Sequence, residues 1–127
     1  MQQPVVHAFF ESQSFTYSYL VWDPLSKEAA VIDPVLDFDA ASGSTSTSSA
    51  QQIMAKVKEH NLTVQWLLET HVHADHLSAA PCLKRQLGGR IAIGSLITEV
   101  QQLFSQVFNL KDLKTDGSAF DKLFADG

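Results

Sequence analysis

The sequence predicts an α/β layered fold, and two patterns along the chain indicate it. The first forty residues contain three short apolar or alternating runs separated by turn residues, which is typical of an antiparallel β-meander. The next seventy residues alternate strand-like apolar runs with helical periodicity, which is typical of a sheet flanked by helices. With 127 residues, the chain has the length of one domain.

The meander is predicted from its periodicity and its turns. Residues 5–10 form a short apolar run, and residues 15–22 alternate aromatic with small or polar side chains, as a half-buried strand does. Residues 23–26 predict a turn because proline fixes φ at its second position. A third strand is expected over residues 29–33, ending at Pro34.

The helices are predicted from capping signals and amphipathic spacing. Residues 42–49 are a low-complexity run of serine, threonine and glycine, which we expect to be a surface loop. Ser49 and Gln52 have the form of a capping box and predict the start of the first helix. A second helix is expected over about residues 78–87, and a strongly amphipathic third one over residues 97–108.

Two further strands complete the prediction, around Trp66 in residues 63–69 and over residues 90–94. The last segment, residues 109–127, has no clear period and ends in an Asp-Gly pair, which usually opens a turn into another strand. The chain is therefore expected to stop within a domain.

Composition excludes several classes of function. The formal net charge of -5 argues against nucleic acid as a partner and gives no attraction to an anionic membrane. A single cysteine, Cys82, excludes an internal disulfide and fits a reducing compartment. We find no signal-peptide pattern and no apolar run of the ~20 residues that a membrane helix needs. A cytoplasmic location is the expectation.

One histidine-rich segment carries the chemistry. His71 and His73 would project to the same side of an extended turn, so two imidazole nitrogens could meet one cation. Asp75 and His76 could serve a second cation or support the first. This segment follows a buried strand, and ligands of α/β sheets gather at strand ends. We expect the three imidazoles to cluster on one loop, with Asp75 alongside.

The pattern His-x-His-x-Asp-His after an apolar strand resembles the signature of the metallo-β-lactamase superfamily. Residues 16–21, 30–35 and 69–76 resemble its glyoxalase II-like branch, and most closely persulfide dioxygenases and bacterial β-lactamase hydrolase-like proteins. The resemblance implies the N-terminal half of a four-layer αββα sandwich, with a mostly antiparallel or mixed sheet and flanking helices. Residues 1–127 would then be one truncated domain.

The resemblance also implies roles for the motif residues. In the hydrolases of the superfamily, the residues matching His71 and His73 bind one metal, and those matching Asp75 and His76 bind another. We assign Asp75 a catalytic role as well. In persulfide dioxygenases one iron(II) is held by two histidines and a carboxylate, and of this motif only the residue matching His71 belongs to that set.

Two further residues are expected to support the ligands without binding metal. Asp33 matches a strand-end aspartate that typically supports the metal loop in this family, and Thr70 directly precedes the motif. The family's remaining ligands come from segments downstream of the last residue of this sequence. The chain alone is therefore expected to be an inactive fragment.

Three functions follow as expectations. The first is a persulfide dioxygenase-like enzyme with mononuclear Fe(II), which oxidises glutathione persulfide to sulfite. The second is a glyoxalase II-like hydrolase of glutathione thioesters with one or two Zn(II) ions, in which the metal lowers the pKa of bound water to ~7. The third is a catalytically silent half-domain that forms a homo-oligomer or associates with a complementary half. The first two imply a small glutathione-linked substrate.

The remaining candidates are expected to be structural. Cys82 is predicted to be a small core residue on an apolar helix face. His7 and His60 have no partners nearby in sequence, and the aromatic side chains within residues 15–19 fit sheet packing better than a substrate platform.

Overall fold

A computed structural model describes residues 3–39, 41–71, 77–107, 109, 111 and 114–126. Strands and helices alternate along this part of the chain after an opening run of strands. They are β1 (Val5–Glu11), β2 (Thr16–Trp22), β3 (Glu28–Ile32), β4 (Val35–Asp39), β5 (Ser44–Ser46), α1 (Ser48–Glu59), β6 (Thr63–Leu68), β7 (Leu77–Ser78), α2 (Ala80–Leu87), β8 (Arg90–Gly94), α3 (Ile97–Val107) and β9 (Lys122–Phe124).

A six-stranded mixed sheet in the order β1-β2-β3-β6-β8-β9 organises the fold. Strands β1, β2 and β3 pair antiparallel, so the predicted meander is confirmed. Strands β3, β6, β8 and β9 pair parallel, with the intervening helices as crossovers. A second, three-stranded sheet has the order β5-β4-β7. The predicted mixed sheet with flanking helices is thus the observed architecture.

One face of the large sheet is covered by α1 and α2. The alternation in β2 places Ser18, Leu20 and Trp22 on this face, where all three are buried. The apolar stripes of the two helices pack against them because a strand exposes every second side chain to one layer. The core of this helix-covered face consists of Leu20, Trp22, Ala29, Val31, Ala50, Ile53, Val57, Val64, Leu67, Ala79, Ala80 and Leu83.

The opposite face, here called the open face, carries a row of aromatic rings. Phe10 and Tyr17 are opposite each other in β1 and β2, and their ring centroids lie 5.0 Å apart. They are 54% and 52% exposed. Further along the sheet, the rings of Trp66 and Phe124 meet edge to face at 5.2 Å. The open face is defined by Val6, Phe10, Tyr17, Tyr19, Trp66 and Phe124.

Strands β4 and β5 were not predicted. We expected a stop at Pro34 and a loop over residues 42–49, but β4 begins at Val35 and pairs with β5 inside that serine-rich segment. It also pairs with β7, more than forty residues away. These strands depend on non-local pairing, which no local period in the sequence reveals.

The predicted capping box is wrong. The first helix begins at Ser48 with Thr47 as its N-cap, which makes no side-chain capping bond. Ser49 instead donates from its backbone N–H and its hydroxyl to the two oxygens of Asp37, at 2.8 and 2.6 Å. The serine thereby ties α1 to β4, and a tertiary contact replaces the local motif.

The C-terminal segment contributes the edge strand β9. Asp121 positions it, because its backbone N–H donates to the Ile91 carbonyl at 2.8 Å and its carboxylate accepts from the Ile91 N–H at 2.8 Å. Lys84 of α2 donates to the same carboxylate at 2.6 Å. Within the described ranges, no helix is long and apolar enough to cross a membrane.

Candidate metal centre

The candidate site lies where the parallel strands β3 and β6 end. Asp33 directly follows β3, and Thr70 and His71 closely follow β6. The Asp33 N–H donates to the Leu68 carbonyl at 2.8 Å, which continues the pairing of the two strands by one residue. The carboxyl ends of neighbouring parallel strands are the edge at which α/β sheets bind ligands.

Asp33 takes a backbone conformation that turns its side chain toward the next strand end. Its φ is +52°, in the left-handed region that aspartate tolerates better than most residues. The buried hydroxyl of Ser18 donates to the Asp33 carbonyl at 2.8 Å and so holds this turn from the neighbouring strand β2. The strained position is therefore held by contacts from strands on both sides.

The carboxylate of Asp33 binds Thr70 through both of its oxygens. Oδ1 accepts the Thr70 backbone N–H at 2.8 Å, and Oδ2 accepts the Thr70 hydroxyl at 2.6 Å. Hydrogen bonds to a charged acceptor are short and strong. Thr70 is thus fixed in both backbone and side chain immediately before His71.

This arrangement determines the tautomer of His71. Thr70 Oγ1 lies 2.8 Å from His71 Nδ1. Because the only hydroxyl hydrogen of Thr70 is donated to Asp33, its oxygen must accept from the ring, and Nδ1 carries the proton. In a neutral imidazole the lone pair is then on Nε2, which is the form that binds a metal ion.

His71 is therefore suited to bind a metal ion, because the nitrogen of a neutral imidazole is a common ligand in iron and zinc sites. Asp33 and Thr70 orient the ring in the way that hydrogen-bond partners of metal-bound histidines do. His73, Asp75 and His76 lie outside the described residues. Among the described residues, no three histidine, cysteine or acidic side chains form a group that could hold a metal ion.

An open cleft of about 440 Å³ adjoins His71 on the side of β8 and α3. Its walls are mainly apolar and include a few polar side chains. The lining residues are Thr70, His71, Ile93, Gly94, Ser95, Leu96, Ile97, Val100, Phe124 and Asp126.

A second carboxylate, on Glu69, lies on the other side of the chain from Thr70 and was not predicted. Glu69 is 8% exposed, and its N–H donates to the Ala92 carbonyl of β8 at 2.9 Å. The hydroxyl of Ser78 donates to Glu69 Oε1. The sequence does contain a signal for this residue, because Glu69 is a charged side chain at the end of the apolar run of residues 63–69. A carboxylate in that position either ends the strand or is buried with a hydrogen-bond partner.

The other polar candidates make structural contacts. The ring of His7 meets Phe9 edge to face at 4.7 Å, and His60 stacks on Trp22 at 5.0 Å. Cys82 is half-buried, whereas a core position was expected, because it lies at the margin of the stripe that α2 buries.

Three curated relatives resemble this chain at the level of sequence. The profile of the metallo-beta-lactamase superfamily matches residues 12–117. A beta-lactamase hydrolase-like protein of Xylella fastidiosa is 49% identical over 127 residues, which is all of this chain and 30% of that protein. Glyoxylase B2 of Dictyostelium discoideum is 42% identical over 95% of this chain and 42% of its own length. Persulfide dioxygenase ETHE1 of Bos taurus is 34% identical over 76% of this chain and 34% of its own length.

A solved structure shares the fold. The crystal structure of ETHE1 from Myxococcus xanthus superposes with a TM-score of 0.58 and 31% identity, over 69% of this chain and 34% of that one. The chain thus spans less than half the length of the relatives it matches. With the profile covering most of its residues, the chain belongs to the metallo-β-lactamase superfamily.

Proposed function

We propose that this chain supplies the first metal ligand, His71, of a persulfide dioxygenase-like enzyme with a single Fe(II). The hydrogen-bonded series from Asp33 through Thr70 to His71 Nδ1 carries the proposal, because it places a proton on Nδ1 and so makes Nε2 the nitrogen that would bind a metal. The family and the persulfide dioxygenase relative supply the reaction class.

The proposed reaction oxidises the outer sulfur of glutathione persulfide. One persulfide, one dioxygen and one water give glutathione thiol, sulfite and two protons, so that the sulfur–sulfur bond breaks and the outer sulfur gains three oxygen atoms. Iron(II) would supply the redox centre for dioxygen, and His71 would hold it. Of the motif only His71 would bind this iron, and Asp75 stays the catalytic candidate. Metal binding by His73, Asp75 and His76 belongs to the hydrolase candidate described below.

The cleft beside His71 is the proposed place for the substrate. Its volume of about 440 Å³ lies within the ~300–1,000 Å³ typical of small-molecule sites. Thr70 and His71 are among its lining residues, so a sulfur atom bound there would lie near the metal held by His71. A glutathione-linked substrate is the proposed occupant.

A chimera tests this function directly. The chain would replace the matching segment of the Xylella fastidiosa relative, which is 49% identical over that segment. The purified chimera is expected to contain one iron and to consume dioxygen when glutathione persulfide is added. The isolated chain is expected to bind metal weakly and to be inactive, because a catalytic metal usually needs three protein ligands.

The variant His71→Ala in the chimera is expected to lose both metal and activity, and the unmodified Xylella fastidiosa protein is the reference for correct folding. Full persulfide-dependent oxygen consumption by His71→Ala would contradict the proposal. So would a stoichiometric, active metalloenzyme formed by the isolated chain.

A glyoxalase II-like hydrolase is the second candidate, and one comparison favours it. Identity to Glyoxylase B2 is higher and extends further than identity to persulfide dioxygenase, at 42% over 95% against 34% over 76% of this chain. The chimera would then contain one or two Zn(II) ions and would hydrolyse a glutathione thioester without consuming oxygen. Metal analysis and the two substrate assays separate the candidates.

Association is the third candidate, and the open face favours it. Phe10 and Tyr17 are more than half exposed there, and a continuous apolar patch of this kind indicates a binding surface. A second copy of the chain or a complementary half of the domain would cover it. The net charge of -5 supports the predictions of no nucleic-acid partner and no membrane association, and the cytoplasmic location stays a prediction.

A further inference from the structure

We propose that Glu69 and Ser78 form a positioning pair that closes the base of the segment carrying the candidate metal ligands. Their side-chain hydrogen bond would set the distance between the two ends of residues 70–77 and thereby the presentation of His71 to a metal. The inference rests on the metal site proposed above.

The pair brackets the segment in sequence, and the two bracketing side chains contact each other. Glu69 follows β6 directly, and Ser78 is the last residue of β7, nine positions later. The Ser78 hydroxyl donates to Glu69 Oε1, so a side-chain bond joins the residue before the segment to the residue after it.

Each member of the pair is anchored to a different element. The Glu69 N–H donates to the Ala92 carbonyl of β8 at 2.9 Å. Ser78 is opposite Val35 of β4, and its Oγ accepts the N–H of Ala80, the first residue of α2, at 3.0 Å. The bond between Glu69 and Ser78 therefore connects the large sheet to the small sheet and to α2.

Asp33 binds Thr70 on one side of the chain, and the Glu69–Ser78 pair lies on the other side. Successive residues of an extended chain point to opposite faces, so Thr70 is held by Asp33 while Glu69 is buried among the elements on the other side. A carboxylate that is only 8% exposed is costly unless it is hydrogen-bonded. The hydrogen bond that Glu69 accepts from Ser78 is one that an apolar residue at this position could not make.

The test uses two measurements on the purified 127-residue chain. Hydrogen exchange without metal follows the amides of Thr70 and Ala79, which are bonded to Asp33 Oδ1 and to the Pro34 carbonyl. Cobalt(II) titration then reports affinity and the visible absorption spectrum of the bound ion.

The variants separate a lost hydrogen bond from a lost side chain. Glu69→Ala and Ser78→Ala remove the bond, whereas Glu69→Gln and Ser78→Thr retain an acceptor or a hydroxyl. Ser49→Ala is the matched control, because it removes a hydroxyl-to-carboxylate bond to Asp37 away from the site.

Glu69→Ala and Ser78→Ala are each expected to raise the exchange rates of both amides about tenfold and to weaken cobalt(II) binding about tenfold, as the loss of partners that orient metal ligands does. If the shared Glu69–Ser78 bond causes these effects, the effects of the two single variants should not add up in the double variant, and Ser78→Thr controls for the second bond that Ser78 accepts from Ala80. Glu69→Gln and Ser78→Thr should stay close to the wild-type chain in exchange and in spectrum.

If the Thr70 and Ala79 amides of Glu69→Ala and Ser78→Ala exchange at the same rates as in the Ser49→Ala control, the proposed positioning role of Glu69 and Ser78 is overturned. Equal effects of Ser78→Ala and Ser78→Thr would also overturn it. If cobalt(II) binds the wild-type chain and a His71→Ala variant equally, the proposed metal site fails, and the exchange measurement still decides whether Glu69 and Ser78 close the segment.

Discussion

The two faces of the six-stranded sheet differ sharply in how completely this chain covers them. On the helix-covered face, Leu20, Val31 and Leu67 have no exposed surface. On the open face, Phe10 and Tyr17 remain more than half exposed although they pack on each other. Both faces are apolar, so the difference lies in what covers them and not in composition.

The comparison indicates that the helix-covered face stabilises the fold, whereas the open face is the surface available for association. Burial of apolar surface contributes roughly 25 cal/mol per Å², and within the described ranges α1 and α2 provide it on one face only. The candidate metal centre is at the carboxyl ends of the strands, between the two faces. Asp33 and Thr70 hold it from one side, and Glu69 lies on the other.

The largest expected effect compares adjacent leucines of β6 that point to opposite faces. Leu67→Ala should lower the free energy of unfolding by about 2–5 kcal/mol, because it leaves a cavity in a fully buried core. Leu68 is only half-buried on the open side, so Leu68→Ala should cost less than about 2 kcal/mol. Urea unfolding of both variants measures the difference, and equal losses would contradict the asymmetry of the two faces.

The second effect concerns the candidate metal centre. In Asp33→Asn, the asparagine still tolerates the positive φ. It has no negative charge, however, so it cannot replace the charged acceptor of the Thr70 hydrogen bonds. Cobalt(II) affinity of the chain is expected to fall about 10- to 100-fold, as measured by titration.

Asp37→Asn is the matched control for that experiment. Asp37 accepts hydrogen bonds from the N–H and the hydroxyl of Ser49 at 2.8 and 2.6 Å. Asp33 accepts the same two kinds of hydrogen bond from Thr70 at the same distances. Asp37→Asn should lower stability to a similar degree and leave cobalt(II) affinity unchanged. Equal affinity losses in the two variants would show that the effect of Asp33 is general destabilisation.

A third prediction addresses the open face. The double variant Phe10→Ser, Tyr17→Ser removes the exposed aromatic pair and should abolish any concentration-dependent association seen by size-exclusion chromatography with light scattering. Leu25→Ser, at an exposed turn residue outside the open face, is the control and should leave association intact. A wild-type chain that stays monomeric at the highest soluble concentration would exclude self-association through this face.

The smallest expected effect is the pH dependence of the edge strand. The hydrogen bond from Lys84, followed by that from the Ile91 N–H, lowers the pKa of Asp121 from its usual 3.8. A carboxyl whose folded pKa is lowered stabilises the fold above the unfolded pKa and loses that contribution as the pH falls through the folded pKa. Asp121→Asn should therefore melt below the wild-type chain at pH 7, with a difference that narrows below pH 3.8.

Thermal melts of both proteins at pH 7 and at acid pH measure this effect. A difference that is constant over the whole pH range would mean that the charge of Asp121 does not contribute.

The sequence predicted those strands and helices whose buried side chains recur at a regular spacing along the chain. The alternation of β2 and the tight turn after Trp22 predicted the meander. The amphipathic spacing of residues 97–108 predicted the third helix, which the structure has at Ile97–Val107. Strand β4 escaped prediction because Val35–Asp39 is short, follows a proline and pairs with residues far along the chain. The misassigned cap at Ser49 has the same cause, since its partner Asp37 belongs to another element.

The candidate site was only partly predictable for a related reason. His71 was found from its motif, and Asp33 from the family resemblance alone, because the bond from Asp33 to Thr70 spans 37 residues. Glu69 lies in the segment 69–76 that resembles the family, but no role was predicted for it, and its partner Ser78 was expected to begin a helix. The roles predicted for His73, Asp75 and His76 concern residues outside the described ranges and stay predictions.

The protonation state of the His71 ring tests the proposed metal centre most directly. Nitrogen-15 spectra of the histidine rings, with His71 assigned from a His71→Asn variant, should show that the neutral ring carries its proton on Nδ1 and not on Nε2. Addition of zinc should then shift the Nε2 signal of His71, and Thr70→Val should abolish the tautomer preference where Thr70→Ser retains it. A proton on Nε2 of the wild-type ring, or a His71 signal that zinc leaves unchanged, would contradict a metal-ligand role for His71.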